Sequence, residues 1–496
     1  MIQHCPVLIV LLPLTAALLC LLFSKFNKNL GSWLVIGSIA GSLACSLQVL
    51  HQTLTSGEAI HYWMGNWEPP LGIEFVIDPL SAVMAVLITF ISLMVAVYSK
   101  PFMRKEDWLH IGGYYTLYGL LTVGLCGMVI TGDMFNLYVY LEVMSLSGYG
   151  LIAMGGKKSM LAAFRYMLIG TIGASLYLIS VAYLYAMTGT LNMADLGERI
   201  MPYLSSPPFA LAVACLFIGF GIKMALFPLH GWQPDAYNFA HPGSAAFIAG
   251  VMSKVPAYAI IRFFFYIFGV NNPIISTALT VLGILGIGGV LIGSIMALAQ
   301  YDFRRMLAYS SVAQIGYIAI GLAIGNMYGF IGAVLHIINH AFMKSALFLV
   351  IGGIQYRFGE INLYRLGGLN KKMTLSTITV TLAALSMVGI PPTAGFFSKW
   401  YLMLGAYQGG QYFYIVILVI SSLLNAVYFF RILEQMFVQH EASLTEINRH
   451  EVKLGLPPEM AIPILCAGIG ILVLGFYSVD IVDDILKSGL PEVFLR

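Results

Sequence analysis

The chain has 496 residues, 59% of them hydrophobic and only 9% charged, against roughly 25% charged in an average soluble domain. That excludes an ordinary water-soluble enzyme, and the net charge of +3 comes from basic residues scattered between apolar stretches, which leaves no footprint for nucleic acid. A bilayer-crossing helix needs about 20 apolar residues, and stretches of that kind recur along the sequence, so it reads as an all-α polytopic membrane protein.

The N-terminal stretch MIQHCPVLIVLLPLTAALLCLLF lacks the basic region and small-residue cleavage site of a secretory signal, and reads as the first span. About fourteen spans are expected, near 3–23, 32–52, 77–99, 111–130, 132–154, 160–187, 208–230, 243–267, 273–297, 303–324, 327–355, 373–407, 412–438 and 457–478. The seventh is interrupted at Pro228. The twelfth is too long for one straight helix and contains GIPPTAGFF, so a break is expected at Pro391 and Pro392. Freed backbone inside a bilayer is tolerated only where protein or water covers it.

With the N-terminus outside, the positive-inside rule is satisfied. The inner loops then gather Lys25, Lys28, Lys100, Arg104, Lys105, Lys157, Lys158, Arg304, Arg305, Arg357, Arg365, Lys371, Lys372, Arg449 and Lys453, while Arg199, Lys487 and Arg496 stay outside. Both termini are expected on the outer side. Arg165, Arg262 and Arg431 lie toward span ends, where a long side chain snorkels to the interface. Lys223, Lys254, Lys344 and Lys399 lie too deep for that. An ionisable group at mid-membrane costs about 2.5–3.5 kcal/mol on insertion scales, so four such lysines point to use rather than accident.

Glu142 is near the middle of the fifth span, in GDMFNLYVYLEVMSLSGYGLI. It reads as a charge partner or proton carrier facing the bundle interior; a protonated carboxyl buried in a packing interface is the competing reading. Asp133, at the mouth of the same span, reads as a helix N-cap. Lys223, in GFGIKMALFPLHGWQPDAYNFAHPG, places an amine beside irregular backbone. A carboxylate about 6 Å from such an amine contributes about 3 kcal/mol at an effective dielectric of about 20, enough to decide whether the amine keeps its proton; a static ion pair is the alternative. His230 and His241 flank this segment as proton feeders or as interfacial residues. Lys254, in VMSKVPAYAI, reads as the next relay. In GAVLHIINHAFMKSALF, His336, His340 and Lys344 recur every fourth residue and share one helix face. Imidazole passes protons between its two nitrogens near neutrality, so the row reads as a proton wire, with a zinc site at the two histidines as the competing idea. Lys399 follows its helix break where Lys223 precedes its own. Breaks five spans apart in reversed order are what two inverted five-helix repeats produce. The expected division is 1–110 for spans 1–3, 111–270 for the first repeat (spans 4–8), 271–440 for the second (spans 9–13), and 441–496 for a loop and span 14. Glycine spacings at Gly170–Gly173 and around Gly283–Gly289 read as close helix contacts. The six cysteines, Cys5, Cys20, Cys45, Cys126, Cys215 and Cys466, stand singly, without the spacing of a metal or cluster site, so no cofactor and no redox centre are expected.

The GDMFNLYVYLEV segment, KxxxFPLHGWxPDA, the Lys254 helix, HxxxHAxxKxxLF and GIPPTAGFFSKW occur in one order along nearly the whole chain. In this the sequence resembles the antiporter-like membrane subunits shared by Mrp-type cation/proton antiporters, respiratory complex I and energy-converting hydrogenases. The GDxFNxxVxxEV form, the lysine at the twelfth span and the chain's end soon after span 14 look most like the D-type member of the Mrp antiporters. One complex I subunit of this kind carries glutamate where this chain has Lys399. The resemblance implies a Glu142–Lys223 charge pair, a central axis through Lys254, His336, His340 and Lys344, and an outlet at Lys399. It implies a multi-pass subunit of the cell membrane, working with other membrane subunits to exchange H⁺ for Na⁺ or K⁺. The alternative is the proton-pumping subunit of a redox-driven complex, which would make the chain part of an enzyme whose cofactors lie elsewhere. A structural subunit with an inactive axis is the third reading.

Overall fold

The computed structural model describes residues 2–359, 362–363, 366–438 and 455–494. Arg365, Arg449, Lys453 and Arg496, assigned to loops and tail above, lie outside the described residues. The expected spans form as α1 (Cys5–Phe26), α2 (Leu30–Ser56), α3 (Pro79–Met103), α4 (Trp108–Ile130), α5 (Met134–Ala153), α6 (Lys157–Thr188), α7a (Pro207–Met224), α7b (Gln233–Phe239), α8 (Pro242–Ile267), α9 (Pro273–Leu298), α10 (Phe303–Ile324), α11 (Met327–Phe358), α12a (Thr374–Val388), α12b (Ala394–Gln408), α13 (Tyr412–Phe437) and α14 (Pro458–Phe476). Among the described residues, twelve helices are long and apolar enough to cross a membrane; α5 and the two halves of α12 complete the fourteen. A hairpin of β1 (Ile60–Trp63) and β2 (Glu74–Ile77) pairs antiparallel between α2 and α3.

Burial separates an inner set of helices from an outer one. The most apolar stretch of α8 is 100% buried and those of α11 and α10 are 94% and 89%, against 33% for α13. A helix apolar all round belongs in the interior, and one with an exposed apolar face belongs against lipid or a partner. Contacts close two rings. In one, α4, α5, α6, α7a and α8 pack in succession and α8 returns to α4; in the other, α9, α10, α11, α12 and α13 do so and α13 returns to α9. The rings meet along α8 and α11, and α3 lies across both.

Both broken helices stop earlier than the prolines themselves. The α7a helix ends at Met224, with Ala225 in the left-handed region at φ 61°, and α12a ends at Val388, with Gly389 at φ 93°. A proline ring clashes with the carbonyl four residues upstream, and Met224 and Val388 are four residues before Pro228 and Pro392. The helices end at a left-handed residue, Ala225 or Gly389, rather than at the rings themselves. Two wide π turns interrupt α8, at Ile248–Met252 and Arg262–Ile267, where the sequence pattern predicts a regular helix.

Candidate functional site

The four deep lysines are all buried, and each amine finds neutral oxygens rather than a carboxylate. Lys223, in the last turn of α7a, donates to Ser145 Oγ at 2.6 Å and Tyr149 OH at 3.2 Å. Lys254 donates to the carbonyl of Ala249, in the π turn that precedes it. Lys344 donates to the Leu307 carbonyl at 2.8 Å and to Ser310 Oγ. Lys399 donates to the carbonyls of Met387 and Val388, at 2.8 and 3.0 Å, and to Ser422 Oγ at 3.0 Å.

Lys223 and Lys399 thus occupy equivalent ground despite their opposite places in sequence. Each amine sits at the C-terminal end of a half-helix, where unpaired carbonyls and the helix dipole favour a cation. In α7a, Trp232 Nε1 occupies the Ile222 carbonyl at 2.9 Å, and Lys223 turns toward α5. In α12a, Lys399 reaches back from α12b and caps the carbonyls itself.

The expected Glu142–Lys223 charge pair is indirect. No ion pair joins them; Ser145 and Tyr149, three and seven residues beyond Glu142 on the same helix, stand at the amine instead. Glu142 does not face the bundle interior as expected. It is half-buried beside the exposed Phe135, Val139 and Leu146, whose spacing makes one stripe along α5. Asp133 is the N-cap foreseen, accepting from the Asn136 amide at 2.7 Å.

The second ring holds a continuous polar line. His336 and His340 stack at 6.0 Å, and Tyr317 stacks on His336 at 5.4 Å. Lys399 lies over the Tyr317 ring at 4.8 Å. His336 Nδ1 bonds Ser398 Oγ at 3.0 Å, next to Lys399 in sequence. Both ring nitrogens of His340, Nε2 of His336, the Gln314 amide and the hydroxyls of Ser253 and Ser345 are buried without a hydrogen-bond partner among the described residues. Buried polar groups are almost always bonded, to water where protein offers nothing. Among the described residues no cluster of three His, Cys, Asp or Glu joins the histidines.

The flanking residues take other parts. His241 accepts from the Gly243 amide at 3.3 Å as the N-cap of α8, while His230 stacks on Phe227. The three arginines expected to snorkel have partners: Arg262 forms a two-pronged pair with Asp78, Arg165 bonds Asp235 at 2.9 Å, and Arg431 caps the Leu298 and Gln300 carbonyls at 3.0 and 2.8 Å. Sequence reasoning missed Ser145, Tyr149, Ser310, Gln314, Tyr317 and Ser422. A signal was present, since AYSSVAQIGY puts three uncharged polar side chains and two tyrosines into an otherwise apolar span.

Fourteen spans, two broken helices and lysines at both half-helix ends define an antiporter-like membrane subunit. The chain belongs to the NADH:quinone oxidoreductase/Mrp antiporter transmembrane family, whose model matches residues 131–425; the N-terminal family of complex I chain 5 matches 63–110. It is similar to NADH-quinone oxidoreductase subunit N of Desulforudis audaxviator, at 44% identity over 99% of both chains. It is also similar to the D subunit of the Na⁺/H⁺ antiporter of Alkalihalophilus pseudofirmus, at 31% identity over 99% of this chain and 98% of that one. Among solved structures it is similar to a chain of the membrane-bound sulfane sulfur reductase, an archaeal respiratory membrane complex, with TM-score 0.90, 28% identity and coverage of 99% and 98%.

Proposed function

We propose that the chain is the proton-translocating subunit of a hetero-oligomeric antiporter in the cell membrane, with both termini outside. The observation that supports this is the buried line from Lys223 through Lys254, His340, Lys344 and His336 to Lys399, in which no amine is locked in an ion pair. An amine held by neutral oxygens exchanges its proton more readily than one clamped by a carboxylate, because release leaves no unpaired buried charge behind. Glu142 is the switch. Moving it relative to Lys223 changes the field at that amine, and the change passes along the line. Residues 111–270 and 271–440 act as two inverted repeats, one half-channel each. The half-buried Glu142 at the edge of the exposed α5 stripe supports a neighbouring subunit on that face, since a carboxylate is costly against lipid.

In this reading the exchanged ion is Na⁺ or K⁺. The 44%-identical relative favours a second reading, in which electron transfer in a redox complex drives the same proton path. The two are separated with inverted vesicles that hold the chain and its partner subunits under a proton gradient. A pH-sensitive dye follows the addition of Na⁺ and then K⁺, with Lys223→Ala as control. Collapse of the gradient by cation, lost in the variant, is the expected result. An assembled complex that ignores both cations overturns antiport and leaves the redox-driven pump.

A further inference from the structure

The α1–α2 turn and the ends of α2, α3, α4 and α14 on the basic face enclose a cleft of about 370 Å³ that the proton path does not use. Three cations line it: Lys28 in the α1–α2 turn, Lys100 in the last turn of α3, and Arg104 just beyond. One carboxylate opposes them, Glu459 of α14, and it is already engaged by Arg104 at 2.6 Å. Lys28 donates one of its protons to the Arg104 carbonyl at 3.2 Å. Lys100 makes no hydrogen bond among the described residues; its Nζ lies on the face of the Trp33 ring, 3.3 Å from the centroid. The indole fixes the ammonium in place without satisfying its donors or cancelling its charge. The Asn29 side chain lies at the same rim.

The surroundings are those of a bilayer interface. Trp33 is half exposed, and Phe26, which ends α1 two residues before Lys28, is exposed as well. Aromatic rings of this kind sit at the headgroup level of a membrane, and basic clefts between helix ends recognise anionic headgroups. We propose that this cleft binds the phosphate of an anionic phospholipid, with Lys100 and Lys28 on its oxygens, Asn29 at the rim and the acyl chains running down past Trp33 and Phe26. The site is independent of the proton path, and its test does not depend on transport.

Native mass spectrometry of the full chain, released from vesicles of mixed phosphatidylglycerol and phosphatidylcholine, reads the lipid retained. Phosphatidylglycerol is expected to be enriched. Lys28→Gln and Lys100→Gln should each lower that enrichment about fivefold, the weight of one basic side chain near an anionic surface. Glu459→Gln, which frees Arg104, should raise it, and this opposite sign survives if a lysine variant fails to fold. Equal retention of the two lipids, or enrichment unchanged in the double lysine variant, overturns the site. Displacement of the lipid by inorganic phosphate assigns the cleft to the free anion and overturns the lipid.

Discussion

At the scale of single residues, a buried charge is governed by what shares its hydrogen bonds. Lys223 is held by Ser145 and Tyr149, both of which can donate as well as accept, so the amine can lose its proton without stranding a buried group. Ser145→Ala removes the shorter contact. A hydrogen bond to a charged group is worth about 1.5–3 kcal/mol, so proton transport in vesicles should slow by roughly tenfold or more, while Ser145→Thr keeps most of the rate. An unchanged rate in the alanine variant would mean that the Ser145 hydroxyl does not hold the transported proton at Lys223. His241 carries a prediction of a different sort. Burial first, then Arg304 and His110, push its imidazole down to about 3, and its unprotonated Nδ1 caps α8. The unfolded chain takes up that proton near pH 6.5, whereas the folded chain resists until about pH 3. Stability from this group is therefore present above pH 6.5 and falls as the pH drops from there toward 3, with a limiting slope of about 1.4 kcal/mol per pH unit. Thermal unfolding of purified protein from pH 7 to pH 4 should show a loss that His241→Asn flattens, because asparagine caps without titrating. A parallel loss in both proteins would exonerate His241.

At the scale of helices, close approach and broken geometry put these side chains in place. Gly170 of α6 lies where a Cβ would stand 2.1 Å from Tyr149 OH. Gly170→Ala should push the tyrosine off Lys223 and lower transport severalfold, with the chain still folded. At Gly316 of α10 a Cβ would meet the Gly286 carbonyl of α9 at 2.6 Å. That contact is backbone against backbone, so Gly316→Ala should lower thermal stability by about 1–3 kcal/mol. The contrast between a functional and a structural glycine is read by measuring both quantities on both variants. The spans and both breaks were legible because burial in a bilayer leaves long apolar runs, and the deep placement of the four lysines was legible because a charge inside such a run stands out. Gly286 was also legible as a close-packing glycine. The ends of the broken helices were not, since each helix stops at a left-handed residue, Ala225 or Gly389, upstream of its proline or proline pair. The π turn that exposes the Ala249 carbonyl to Lys254 leaves no mark in residue type. Glu142's place on an exposed stripe depends on which way α5 is turned, and that is fixed by packing against α4 and α6.

At the scale of the whole molecule, the two rings of five helices meet along α8 and α11, and on the path proposed above a proton crosses between them there. Lys254 is the lysine that α8 contributes beside that seam, buried like His340 and Lys344 of α11. The unpartnered Ser253 and Ser345 hydroxyls lie on the same two helices. On either side the lysines are built into half-helix ends, whereas Lys254 rests on a single carbonyl freed by a π turn. This makes the seam the point where the two halves can be disconnected without disturbing either. Lys254→Met keeps the apolar stem and removes the amine. Transport through the reconstituted complex should fall below detection, with the chain still folded. Lys399→Met and Lys223→Met should also stop transport. A Lys254→Met protein that transports at the wild-type rate would show that protons cross each ring separately, and the two halves would then be parallel channels rather than one path.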